Sequence, residues 1–143
     1  MIYISHRGNF QGKSEKDENR PEYIMKAVDK GFDVEIDVWF ENNNFYLGHD
    51  QPTFKVDKDF LCKKELWCHA KNTQALYEMS KINCHYFWHQ EDDYTITSKG
   101  ILWVYPGKIL TKNSICVLPE LSNYKEYNCL GICSDFIEKY IND

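Results

Sequence analysis

The segment FDVEIDVWF, residues 32–40, alternates acidic and apolar side chains with a period of two from Asp33 to Val38, the pattern of a β-strand. Val34, Ile36 and Val38 point to one face, and Glu35 and Asp37 to the other. Carboxylates two residues apart on a strand face lie about 7 Å from each other and repel unless something positive sits between them. A divalent cation held by oxygen ligands meets that need. A solvent-facing polar side of an edge strand is the other account of the same pattern.

Outward from this strand the chain punctuates itself. RPEYIMKAVDKG (20–31) predicts a helix, with Pro21 in its first turn, Ile24, Ala27 and Val28 on one face, and Gly31 at its end. IYIS (2–5) before it is a strand. NNN (42–44) after it is a turn leading to FYLGHD (45–50), which can pair back as a hairpin. LWCHAKN (66–72) is a further strand, followed by a helix over 72–83 that Asn72 or Thr73 can cap. CHYFWHQ (84–90), ILWVYP (101–106), SICVLPE (114–120) and LGICSDF (130–136) complete seven main strands.

Strand, helix, strand at the front of the chain implies an α/β fold with a parallel sheet. Seven strands with polar ends predict a compact, trimmed TIM-type (β/α) barrel spanning residues 1–143 as a single domain. The usual barrel of that type takes about 250 residues, so helices should be shortened or missing in the second half. An open α/β sheet is the alternative. In the trimmed barrel, apolar outer faces such as ILWVYP would lack helical cover, which points to self-association as a homo-oligomer.

Composition narrows the function classes. The net charge of −5, with no basic run, argues against a nucleic-acid backbone binder. No apolar run is long enough for a membrane span, and the N-terminus lacks a charged-then-apolar leader, so a cytoplasmic protein is expected. Six cysteines lie mostly in apolar runs without a CxxC pair, which predicts free buried thiols rather than disulfides or a zinc cluster.

Several strand ends carry chemistry: His6 and Arg7 after the first strand, Glu35 and Asp37 on the second, His49 after the hairpin, and His69 with Lys71 on the next. Strand ends of a barrel converge on one rim, where active sites are built. His89, at the end of its strand, is a further candidate for metal or substrate, whereas the deeper His85 suits the core. Glu120 and Asp135 also end strands, with hydrogen bonding or capping as their simplest role.

The run ISHRGN…ENRPEYIMKAVDKGFDVEIDVWF…FYLGHD resembles the glycerophosphodiester phosphodiesterase family, within the phosphatidylinositol-specific phospholipase C-like phosphodiesterases. The matching pieces are His6-Arg7-Gly8, Glu18-Asn19, Glu35-Ile36-Asp37 and His49-Asp50, in order and spacing over residues 3–50. The resemblance weakens beyond them, although GICSDF (131–136) is similar to the family's closing strand. It implies a metal-dependent hydrolase of small phosphodiesters, with His6 and His49 as general acid and base, Arg7 binding phosphate, and Glu35 and Asp37 binding the metal. Lys71 matches the family's lysine, but His69 stands where an acidic ligand is usual. The resemblance implies magnesium or calcium, and an imidazole ligand moves the preference toward manganese, zinc or iron. Glu18 and Asn19 would support the metal shell or a histidine. Two other outcomes fit the same residues: a phosphate-binding protein that kept the rim without catalysis, and a lipid-directed phospholipase or sphingomyelinase D-like relative using QPTF (51–54) as an apolar rim loop.

Overall fold

A computed structural model describes residues 1–141. Ten strands form one curled sheet: β1 (Ile2–His6), β2 (Asp33–Glu41), β3 (Asn44–Leu47), β4 (Phe54–Val56), β5 (Leu66–Ala70), β6 (His85–Trp88), β7 (Tyr94–Ile96), β8 (Leu102–Val104), β9 (Ser114–Val117) and β10 (Gly131–Ser134). Three α-helices accompany them: α1 (Pro21–Asp29), the single turn α2 (Lys58–Leu61) and α3 (Thr73–Met79). The seven main strands run parallel in the order β6-β5-β2-β1-β10-β9-β8. β3, β4 and β7 are antiparallel additions.

This architecture corrects the expected TIM-type barrel. The sheet is a mixed, curled half-barrel, and helices do not alternate with its strands. The physical reason lies in the connections. Only α1 and α3 return the chain from one parallel strand to the next with a helix of about two turns. After β6 the chain turns back as the antiparallel β7, and β8, β9 and β10 follow through loops and one short 3₁₀ turn, Pro119–Leu121. The outer helical layer a barrel of that type needs is therefore missing from half of the sheet.

Where helices exist, local chemistry explains them. Pro21 starts α1, and Ile24 and Ala27 are buried against the sheet. Asn72 caps α3, accepting from the Ala75 N–H at 3.0 Å. The same side chain exchanges two hydrogen bonds with the backbone of Phe40, tying the helix start to β2.

The two faces of the sheet have different occupants. Val34, Ile36 and Val38 of β2 pack on the outer face with Ile24, Ala27, Ala75 and Met79. The inner, concave face has an apolar floor that includes Ile4, Trp67, Phe87, Trp103 and Ile115. Its rings interlock, with Phe87 and Trp103 centroids 4.7 Å apart and Trp67 and Trp103 5.9 Å apart. His85 belongs to this core: it is buried, lies 4.1 Å from the Trp67 ring, and bonds Thr97 Oγ1 at 2.6 Å. The six cysteines are all free, four of them buried.

Candidate metal centre

One step beyond that apolar floor, the inner-face positions turn polar. His6 follows Ile4 on β1, His69 follows Trp67 on β5, and Glu35 and Asp37 lie between them on β2. Asp37 sits directly opposite His69 in the strand register, and Glu35 directly opposite His6.

Glu35, Asp37 and His69 each present a ligand atom within 4.8 Å of the others. His69 Nε2 lies 2.7 Å from the backbone oxygen of His89. A carbonyl only accepts, so Nε2 carries the proton and Nδ1 faces the carboxylates, 3.4 Å from Asp37 Oδ1 and 3.6 Å from Glu35 Oε1. A backbone partner that fixes a ring this way is the usual support of a ligating histidine.

Asp37 is held from three sides. The Asn19 amide donates to Oδ2 and accepts from the Asp37 backbone N–H, each at 2.9 Å. Arg7 Nε lies 3.0 Å from the same Oδ2. Asn19 and Arg7 both hold left-handed backbone conformations, φ 64° and 57°, costing roughly 1–3 kcal/mol each. The fold offsets that cost by fixing their peptides: the Arg7 N–H donates to Glu35 O, and the Arg7 carbonyl accepts from the Asn19 N–H.

Electrostatics follow from this packing. Burial works against charge on Asp37, but the His69 hydrogen bond and the Arg7 charge hold its carboxyl far below the usual range. Burial likewise disfavours the His69 imidazolium, yet Asp37 and Glu35 outweigh it and raise the group to about 9. For His6, burial is again opposed and overcome, by the Asp135 hydrogen bond and the charge of Glu35, and its pKa rises.

The chemistry of the donor set fits a divalent ion. Glu35 Oε2 and Asp37 Oδ1 are buried, each approached only by a histidine ring nitrogen, at 3.7 and 3.4 Å, a sparsely solvated arrangement that a cation would relieve. Four carboxylates, Glu18, Glu35, Asp37 and Asp135, face one arginine and the two imidazoles of His6 and His69. Acid exceeds base even with both imidazoles charged. Glu35, Asp37 and His69 can therefore hold a metal ion.

The other candidates surround this centre. His6 Nδ1 is 2.8 Å from Asp135 Oδ1, and its Nε2 lies 3.7 Å from Glu35 Oε2. Glu18 binds Arg7 Nη1 at 3.3 Å. His6, Arg7, His49, Lys71 and His89 line one cavity of about 380 Å³ beside Glu35 and His69. His49 stands at its edge, half-exposed, with its ring on Asp50 at 2.8 Å. Lys71 forms no ion pair among the described residues. His89 lies outside the ligand group: its ring bonds the Asp92 carbonyl at 2.6 Å, while its own backbone oxygen steadies His69.

Two contributors were obscure in the sequence. Asp135 stood there only as a strand-ending acid, yet it anchors His6. Buried Asn9 donates to both Asp135 and Glu18, at 2.8 and 3.0 Å. The one local signal for Asn9 is its place directly after His6-Arg7-Gly8. Glu120 accepts from Ser134 Oγ and the Asp135 N–H, which fixes the end of β10. QPTF is no bare apolar loop, because Arg20 stacks over the Phe54 ring at 4.9 Å.

No family model, curated protein or solved structure matches the chain. None of the three described α-helices is long and apolar enough to cross a membrane.

Proposed function

We propose that the protein is a metal-dependent phosphodiesterase acting on a glycerophosphodiester or a related phosphodiester. The observation that carries this reading is the convergence of Glu35, Asp37 and His69, with two buried carboxylate oxygens approached only by histidine ring nitrogens, beside His6 and Arg7 at one cavity. The resemblance of residues 3–50 to glycerophosphodiester phosphodiesterases supplies the reaction class.

Glu35, Asp37 and His69 would hold the ion, and their mixed oxygen and nitrogen donors favour manganese or zinc over magnesium and calcium. When bound, such an ion supplies Lewis-acid stabilisation of charge on a phosphoryl oxygen. Arg7 has a terminal nitrogen, Nη2, engaged by neither Asp37 nor Glu18, and offers it to the phosphate. Lys71 adds a second cation on the cavity wall.

His6 is the proton acceptor. Its Nδ1–H is tied to Asp135, so Nε2 is the atom free to take a proton from the attacking hydroxyl, whether of water or of the substrate's own alcohol. His49, at the more open edge, gives a proton to the departing alcohol oxygen. The cavity edge suits that role because the leaving alcohol must exit to solvent.

The test is hydrolysis of a glycerophosphodiester panel with magnesium, calcium, manganese and zinc. Wild-type turnover should need an ion, and His6→Ala and Glu35→Gln should each lower kcat about a hundredfold or more. A folded wild-type protein that turns over none of the panel with any ion overturns the reading for these substrates.

A further inference from the structure

The cavity has a second wall that the reaction chemistry leaves unused. Opposite the polar ends of β1, β2 and β5, the ends of β6, β8 and β9 contribute Trp88, Trp103, Tyr105, Pro106, Leu118 and Leu121. Trp103 is fixed from below by Phe87 and Trp67. Leu118 holds a left-handed backbone, φ 45° and ψ 56°, which leucine rarely adopts. Its N–H, bonded to the Cys133 carbonyl at 2.7 Å, secures that turn. At the mouth, Tyr105 and Leu121 stand 45% and 70% exposed, so this wall runs from the buried floor out to solvent.

A second cavity, about 570 Å³, lies on the other side of Arg7 and His49, the two residues that line both. Its walls are hydrophilic, with Lys13, Lys16, Asn19, Gln51 and Thr53 among them. A phosphodiester has two arms joined at phosphorus. Arg7 and His49 stand between the cavity that carries this apolar wall and a hydrophilic one.

Resting on the phosphodiesterase reading, we infer that the substrate is amphiphilic: one ester arm is an apolar chain lying along Trp88, Trp103, Leu118 and Leu121, and the other is a hydrophilic alcohol. A diester polar on both arms would leave the apolar wall wet, whereas a chain removes that surface from water. The open end at Tyr105 and Leu121 lets the chain be longer than the cavity.

Simple alkyl phosphates test this without turnover. Binding of ethyl, butyl and octyl phosphate, each below its aggregation concentration, is followed by tryptophan fluorescence and calorimetry on the full chain. Octyl phosphate should bind about tenfold or more tightly than ethyl phosphate, with butyl between them. Leu121→Asn and Tyr105→Ser, both at exposed positions, should each remove several-fold of that gain and leave ethyl phosphate unchanged. Equal affinity for all three lengths overturns the inference while the phosphate site stands. Failure of all three to bind removes the phosphodiesterase reading together with it. Should sedimentation show a dimer that Leu121→Asn dissociates, with no chain-length dependence, the apolar lip is a contact between copies and the inference falls.

Discussion

Single residues explain why His-Arg-Gly-Asn stands at the end of the first strand. His6 points into the concave face, Arg7 accepts a strained backbone to reach Asp37, and Asn9 ties Asp135 to Glu18. Gly8 has φ +93°, and a Cβ there would stand 2.7 Å from the Tyr23 ring, so only glycine suits the turn. Away from the site, His85 gives a clear pH signature. Burial, then the nearby charge of Lys99, push it down to about 4 from an ordinary 6.5. The unfolded chain therefore takes up this proton first. The stability linked to neutral His85 is fully present above about pH 6.5 and is lost as pH falls toward 4. Urea midpoints of wild type and His85→Gln, measured from pH 8 to 4, should differ by a constant amount above about pH 7 and converge or cross below 6. A pH-independent difference would mean that His85 titrates alike in both states.

At the scale of elements, β2 and β5 carry the centre. Their parallel register sets Asp37 opposite His69. The crossover through α3 begins at Asn72, whose amide serves the helix start and both polar groups of Phe40. Asn72→Ala removes all three hydrogen bonds and leaves two β2 backbone groups unpaired, and should cost about 2–3 kcal/mol in denaturant unfolding. A loss below about 0.5 kcal/mol would show that water replaces these bonds without penalty. The hairpin of β2 with β3 and the two front helices were legible in the sequence, because alternation, Pro21, Gly31 and Asn72 are local signals. β4, β7 and α2 were not, since elements of three or four residues carry too little periodicity to stand out.

Across the whole molecule, the candidate ligands come from two strands, His69 standing 32 positions after Asp37 in the chain, so an ion there would clamp β2 to β5. Manganese at a hundredfold excess over its dissociation constant should raise unfolding free energy by about 2.7 kcal/mol. Asp37→Asn should abolish the gain. Manganese is the better probe than zinc, because the six free thiols of the unfolded chain would bind zinc and mask the effect. Unchanged melting with manganese, and with magnesium, would remove the metal centre.

What the sequence determined alone was the local alternation: which residues share a strand face, that Glu35 and Asp37 lie together on one face of β2, and that His6, Arg7 and His69 stand near strand ends. Such information lies in neighbours one and two positions apart. Sheet order, curl and the missing helical layer were decided by pairing between distant segments, such as β1 with β10, and by connections too short to carry helices. The partner of His6 is 129 positions away at Asp135. The backbone oxygen that orients His69 belongs to the end of β6, and the apolar wall of the same cavity is assembled from the ends of β6, β8 and β9. Hydrogen bonds and packing across such separations depend on how the sheet bends, which no short window of residues encodes.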